Sequence, residues 1–454
     1  MKLPKPIQDV LDQLRNRLER VDPRLLISLG GVAVGVFLLW AFTAGPLSGD
    51  DVGEAETKVV TVAVETDDAA DAPVGPLGFP LVATRNTTRV GGEDAAVDAA
   101  AVALATHPAS AGSDPVEAAI LVGPDDWQAG IAAAVLAGPP IRAAILVGES
   151  GGVPEVTADA LAKLNPQGSA GRSDAAVYTV GDVAAPRGYR TESLPGGSPA
   201  EAANSIDLLR QSLVKADPSR ILVTSADQAP YAMPAAAWAA RSGDPVLFVD
   251  DDGVPEQTAE ALQRHRGVPI YVLGPESVIS AQTVREVERV SPGAQRVGEQ
   301  GPTANSIAFA RYSDAGFGWN INDPGHGLVL ASASRPLDAG AAASLSASGK
   351  WGPMLVLEDG STLPPDLRGF LLDIKPGFED DPTRAVYNHI WVIGDSSAIG
   401  ARLQAEVDEL AEVAEVGAGA GGPVEETAGS GTTGSTVPGD HGEPEAEPQG
   451  GQKP

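Results

Sequence analysis

The sequence predicts an α/β protein in which one strand–helix–strand unit occurs three times in tandem. Three observations predict it: short apolar runs recur in a fixed order, each is followed by an Ala-rich helical stretch, and each ends at Gly, Asp or Ser. The runs AAILVGPDD (118–126), RILVTSAD (220–227) and GLVLASAS (327–334) open the pattern, with Ile120, Ile221 and Leu328 lying 101 and 107 residues apart. The helical phrases IAAAVLAG, PAAAWAARSG and AGAAASLSASG follow. Second strands come next, in IRAAILVGESG (141–151), DPVLFVDDDG (244–253) and GPMLVLEDG (352–360). The phrases VPEVTADALAKL, VPEQTAEALQRH and LPPDLRGFLLDI lead to third strands in AAVYTVGD, VPIYVLGP and NHIWVIGD.

Runs of aliphatic and β-branched residues without alternation suit strands covered on both faces. Their alternation with helices implies parallel strands joined by right-handed crossovers. Each copy also begins with a Gly-containing motif before a helix: TRVGGEDAAVDAAAVAL, RTESLPGGSPAEAANSIDLL and QRVGEQGPTANSIAFA. A polar cap there leaves the first helical N–H groups facing a loop. The period is too long for a solenoid repeat, so each copy reads as a small domain, with modules at 79–188, 189–293 and 294–413.

The flanks differ in kind. Leu25 to Ala44 is a 20-residue uncharged run, long enough to cross a bilayer as a helix, with Trp40 near its far end. Lys2, Lys5, Arg15, Arg17, Arg20 and Arg24 precede it, and Asp50, Asp51, Glu54 and Glu56 follow. The positive-inside rule places residues 1–24 in the cytoplasm and the rest outside. A cleaved signal peptide is the competing reading, but the run is long for one and Phe42 fits a cut after Ala44 poorly. The expectation is an uncleaved signal anchor in the cell membrane, in contact with the lipid bilayer. Residues 45–78 read as a linker, and the Gly-, Pro- and Glu-rich 414–454 as a disordered acidic tail.

Composition excludes several functions. A formal net charge of -30 argues against nucleic acid and against a generic electrostatic grip on any polyanion. Cysteine is absent, which removes disulfides and thiolate metal sites. The five histidines, His107, His265, His326, His389 and His441, show no paired ligand spacing, and no cofactor is implied.

The repeated phrases resemble the cell-wall-binding repeat type 2 family, found as triplets in surface proteins of Gram-positive bacteria. The family's elements are seen in Arg89-Val90-Gly91-Gly92, Leu337-Asp338-Ala339-Gly340, Pro245-Val246-Leu247-Phe248 and Tyr271-Val272-Leu273-Gly274. The resemblance covers roughly 84–410 and lies in the order of elements. It implies three modules packed about a pseudo-threefold axis, with a wall polymer held in the clefts between copies. The Arg-Tyr pair expected after the opening Gly is missing from all three copies. The Asp-Ala turn is recognisable only in the third, which makes that copy the nearest to the family pattern.

Four motifs need weighing. Gly148-Glu149-Ser150-Gly151-Gly152 has nucleophile-elbow spacing, but VDDDG and LEDGS stand at the same place in the other copies, and Val153-Pro154 delays the required helix. Gly417 to Gly422 matches a dinucleotide fingerprint without a preceding strand. Asp250-Asp251-Asp252-Gly253 lacks the spaced oxygens of a calcium loop and reads as a solvated turn. Asn86-Thr87-Thr88 has the glycosylation spacing, without meaning in a bacterium.

Parallel α/β sheets place ligands outside the carboxyl ends of their strands. The first-strand loops there offer Asp125, Asp126, Trp127 and Gln128; Ser225, Asp227, Gln228 and Tyr231; and Ser332, Ser334, Arg335 and Asp338. Hydroxyl, amide, carboxylate and aromatic groups suit sugar hydroxyls and ring faces. Helix starts at Gly91-Gly92, Gly196-Gly197 and Gly298 to Gly301 offer backbone N–H donors for an anionic group. The sequence therefore predicts a non-enzymatic envelope protein whose partner is an anionic glycopolymer or peptidoglycan. An esterase-like hydrolase using Ser150 or a carboxylate pair, and a module that binds proteins rather than ligand, are the alternatives.

Overall fold

The computed structural model describes residues 79–107, 116–168, 174–347 and 351–416. The expected anchor, the linker and nearly all of the expected tail lie outside the described residues. Among the described residues no helix is long and apolar enough to cross a membrane.

The chain opens with β1 (Leu81–Ala83), β2 (Thr87–Val90) and α1 (Ala95–Thr106). It continues through β3 (Ala119–Val122), α2 (Trp127–Ala133), β4 (Ala144–Val147), α3 (Glu155–Leu164) and β5 (Val177–Val180), then directly into β6 (Thr191–Leu194). The next stretch holds α4 (Pro199–Val214), β7 (Ile221–Ser225), α5 (Ala229–Ala232), α6 (Pro234–Ser242) and β8 (Val246–Val249). It ends with α7 (Glu256–Arg264), β9 (Ile270–Leu273), α8 (Ala281–Val290) and β10 (Ala294–Val297). The last stretch comprises α9 (Pro302–Arg311), β11 (Gly327–Ser332), α10 (Asp338–Ala342), β12 (Trp351–Leu357) and α11 (Pro365–Asp373). It closes with β13 (Gly377–Phe378), β14 (His389–Ile393), α12 (Ala401–Leu410) and β15 (Ala414–Glu415).

Capping follows the sequence. Asp94 accepts from the N–H groups of Ala96 and Val97 to start α1, and Ser198 accepts from Glu201 to start α4. Ala414 and Glu415, expected in the disordered tail, instead pair with β13. The Ala414 N–H bonds the Pro376 carbonyl at 3.0 Å and the Val416 N–H bonds that of Phe378 at 2.8 Å, which gives this short segment partners.

Three sheets share one strand order. The first runs β4-β3-β5-β6 and the second β8-β7-β9-β10, all parallel. The third runs β12-β11-β14-β2-β1, parallel except for the β1–β2 hairpin. The strand that opens each repeated stretch thus lies in another stretch's sheet. β6 completes the first, β10 the second, and β2, from the start of the chain, completes the last.

At the centre lie the Ala-rich helices. α2, α6 and α10 pack on one another, together with the 3-10 turns that extend α2 and α10. Ile131 to Ala134, Ala235 to Ala237, and Ala339 to Ala343 are buried. A helix covered on every side needs apolar residues all round, and small ones let the axes come close. α2 and α10 approach closely: a Cβ added at Gly340 would lie 2.5 Å from the Gly130 carbonyl.

This contact sets packing against propensity. Gly340→Ala improves helix propensity by about 1 kcal/mol in an open helix, but here it forces two backbones apart. We expect a net loss of roughly 1–3 kcal/mol in denaturant unfolding, the usual cost of overpacking. Gly151→Ala, whose added Cβ meets nothing within 4 Å, serves as a control and should change stability by less than about 0.5 kcal/mol.

Candidate functional site

The first-strand loops emerge at the carboxyl ends of β3, β7 and β11, as expected, but their side chains divide into three groups. Ser225 is buried, and its Oγ accepts from the N–H groups of Asp227 and Gln228 at 3.1 and 3.2 Å. Ser332 is buried against the Ser334 hydroxyl at 2.8 Å. These two serines shape turns. Gln128, Tyr231, Arg335 and Asp338 reach into neighbouring stretches. Gln128 Nε2 donates to the Ala226 carbonyl at 2.9 Å, and Tyr231 Oη accepts from the Gly301 N–H at 3.1 Å. Trp127 packs edge-on against Phe248 on β8, with ring centroids 6.0 Å apart. Asp125, Asp126, Asp227, Gln228 and Ser334 remain exposed. Asp126 is raised above the usual carboxylate range by partial burial and by Asp125. Asp227 accepts from the Asp251 N–H at 3.0 Å and is raised by desolvation and its acidic neighbours.

Arg335 and Asp338 form the densest polar cluster. The Arg335 guanidinium donates to the Gly92 carbonyl at 2.7 Å, Asp98 Oδ2 at 3.1 Å, Asp395 Oδ1 at 2.9 Å and Ser397 Oγ at 2.8 Å. Asp98 on α1 is fully buried and accepts from the Gly92 N–H at 2.6 Å. Asp338 is also fully buried, and neither of its oxygens meets a protein donor. Burial and the adjacent Asp98 charge raise Asp338 well above the usual range. Burial pushes Asp98 up to about 6, against the opposing pull of Gly92 and Arg335.

Sequence reasoning missed the role of the opening Arg, although Arg89 stood in the family motif. On β2, Arg89 donates to Gln404 Oε1 at 2.9 Å and to the carbonyls of Gly394, Asp395 and Ile399 at 2.8, 2.7 and 2.6 Å. Desolvation lowers it to about 10, and it remains charged at neutral pH. Arg296 on β10 makes the corresponding bonds to Gly274 and Ile279, both at 2.7 Å. Arg89 faces Val392 in register and Arg296 faces Val272; the matching pair in the first sheet is Ser193 and Thr179. There the β5–β6 connection carries no helix, and the short Ser193 meets the Thr179 hydroxyl at 3.0 Å. The recurrence of Arg89 and Arg296 was the available signal.

The helix starts expected to receive an anion are engaged by the protein's own groups. The Gly92 N–H is held by Asp98, the Gly197 N–H by Glu201 at 2.7 Å, and the Gly301 N–H by Tyr231. The elbow-like Ser150 lies exposed in a tight turn closed by reciprocal Glu149 and Gly152 bonds of 3.0 and 3.3 Å. α3 begins only at Glu155, and Asp250 and Gly253 close the same turn in the second sheet. In that turn Asp250 Oδ1 accepts from the N–H groups of Asp252 and Gly253, both at 3.0 Å. Among the described residues no group of side chains could hold a metal ion.

With this geometry in place, the comparisons bear out the resemblance. Residues 200–284 match the family described as Cell wall binding domain 2 (CWB2), a family of binding domains rather than enzymes. Cwp8 from Clostridium difficile shares the fold with a TM-score of 0.55 at 17% identity, covering 72% of this chain and 52% of that one. Cwp6 from Clostridium difficile does so with a TM-score of 0.57 at 16% identity, covering 72% and 47%. The chain thus spans about half the length of these two proteins, and identities this low carry the fold alone. No curated protein matches the sequence.

The match falls on the second repeated stretch, not the third, which the Asp-Ala turn had marked as nearest. The three stretches also differ in structure. Residues 312–326 lengthen the α9–β11 connection in the third, and the first lacks a helix between β5 and β6. Only the second keeps every element with short connections.

The acid pair generates a pH prediction. The folded chain holds protons on Asp98 and Asp338 at pH values where the unfolded chain, with Asp near 3.8, has released them. Stability from Asp98 is therefore fully present below about pH 4 and is lost as pH rises through about 6. Asp338→Asn keeps the shape of the side chain and removes its titrating proton beside Asp98. Thermal melts across that range should show a flatter pH dependence for the variant, and a higher melting temperature than the parent at pH 8. Arg335→Ala, which strands Asp98, should cost about 3 kcal/mol.

Proposed function

We propose that this chain is a membrane-tethered envelope protein that binds cell-wall glycopolymer without covalent chemistry. The match to Cell wall binding domain 2 at 200–284 carries the reading, supported by the fold shared with Cwp8 and Cwp6. In it the three sheets are three copies of one module, 79–188, 189–293 and 294–413, set about a pseudo-threefold axis. The run at 25–44 anchors the chain in the bilayer, with residues 1–24 cytoplasmic and the modules outside.

The exposed residues of the first-strand loops are the proposed contact surface: Asp125, Asp126, Asp227, Gln228 and Ser334, with the half-buried faces of Trp127 and Tyr231. These groups accept hydrogen bonds and offer apolar faces, but they bring no cluster of cations. Glu201 and Asp98 already fill helix starts where an anionic group would sit. The surface therefore suits sugar hydroxyls and ring faces better than a string of phosphates.

Co-sedimentation of the full chain with purified Gram-positive cell walls tests this. The chain should pellet with walls, and the bound fraction should change little with added salt, because few ion pairs form. Protein left in the supernatant at every salt concentration would contradict wall binding and favour a protein-interaction module. Steep release by salt would contradict the hydroxyl-directed mode.

A further inference from the structure

Six aromatic side chains, Trp238, Tyr271, Phe309, Tyr312, Phe317 and Trp319, gather at the amino ends of the second and third sheets. In a chain only 4% aromatic, such a concentration calls for a cause. Its source is the lengthened connection at 312–326, which occupies the place of residues 215–220 in the second stretch.

That connection has a fixed shape. Phe317 stacks on Tyr271 with centroids 3.7 Å apart, and Asp314 and Phe317 exchange backbone bonds of 2.9 and 2.7 Å. The Tyr271 hydroxyl donates to Asp314 Oδ2 at 2.9 Å, and that of Tyr312 to Gln295 at 3.2 Å. Gly318 has a φ of +94°, and a Cβ there would lie 2.2 Å from the Tyr312 carbonyl. Ala315 and Asn320 also take left-handed conformations, which cost a non-glycine residue about 1–2 kcal/mol each. The packing of the aromatic group holds them there.

Between this connection, the end of α6, the turn entering β11 and the start of β12 lies a cavity of about 590 Å³. Small-molecule sites usually occupy ~300–1,000 Å³ and combine apolar walls with a few convergent polar groups. Trp319 lines the cavity, half-buried, edge-on to Trp238 at 5.4 Å, and its indole N–H has no partner within the protein. Trp238 is locked by a 3.0 Å bond from its indole to Asp244. Arg241, Asp323 and His326 supply the polar part of the wall, with Asp323 and His326 3.2 Å apart.

We infer that this cavity is a saccharide subsite, taking one sugar ring against Trp319 with its hydroxyls on Asp323 and His326. An indole face matches the C–H face of a pyranose, and a carboxylate with an imidazole provides both acceptor and donor. The subsite opens at the amino ends of the strands, the opposite end from the first-strand loops. It goes beyond the wall-binding reading and does not require those loops to bind.

Saturation-transfer NMR on the full chain, with N-acetylglucosamine, glucose and galactose as separate probes, tests the inference. At least one sugar should give a saturable signal with Kd on the order of 1 mM. Trp319→Ala should weaken it at least about tenfold, which is 1.4 kcal/mol. Asp323→Asn, on the exposed rim, decides the matter if the tryptophan variant does not fold, and should weaken binding as well. Gly151→Ala, which lies in neither surface and whose added Cβ meets nothing within 4 Å, should leave the signal unchanged. No signal from any of the three sugars overturns the inference, as does a signal that Asp323→Asn or a folded Trp319→Ala leaves intact. A signal abolished by Trp127→Ala alone moves the sugar to the first-strand loops, sinking the subsite while leaving wall binding standing.

Discussion

The third sheet is completed by a strand from the other end of the chain, and much else follows from that closure. Arg89 and the Gly394 carbonyl it binds lie 305 residues apart. Closing a loop of that length costs roughly 3 kcal/mol more than closing a ten-residue one, because the entropy grows only with the logarithm of length. The offset is local and dense. Arg89 places four bonds on Gln404 and three carbonyls, and a charged donor's hydrogen bond contributes about 1.5–3 kcal/mol. The same closure brings α1 to the first-strand loop of β11, where Arg335 spans Asp98 and Asp395. Without β2 in place, Asp98 would lose Arg335.

Charge is handled in the same economical way. The chain is strongly acidic, yet several of its acids are engaged by particular donors. Asp98 and Glu201 each hold a glycine N–H at a helix start, doing internally what an anionic ligand does in other proteins. What remains at the carboxyl ends of the strands is neutral or acidic and accepts hydrogen bonds.

Strand and helix types were legible in the sequence because buried parallel strands and Ala-rich helices leave unambiguous runs. VLFV before Asp250 and AILV before Gly148 can hardly be anything else. Strand partnership was not legible. Thr87–Val90 carries no mark that it pairs with His389–Ile393 rather than with a nearer strand, since in-register parallel pairing is not written in side-chain pattern alone. Of the candidate site residues, sequence found the loops but not the division within them. Ser225 and Asp227 are two residues apart and equally polar, yet one caps a turn and the other faces solvent. Asp338 read as a ligand-facing carboxylate, but the small residues beside it, Ala339 and Gly340, draw α10 so close to α2 that it is sealed inside.

Hydrogen–deuterium exchange tests the closure most directly. If β2 is an integral strand of the last sheet, the amides of Thr87–Val90 will exchange as slowly as those of His389–Ile393, and both will open together as denaturant is added. Fast exchange at Thr87–Val90 beside a protected His389–Ile393 would contradict it, and with it the account of how Asp98, Arg335 and Asp338 are held.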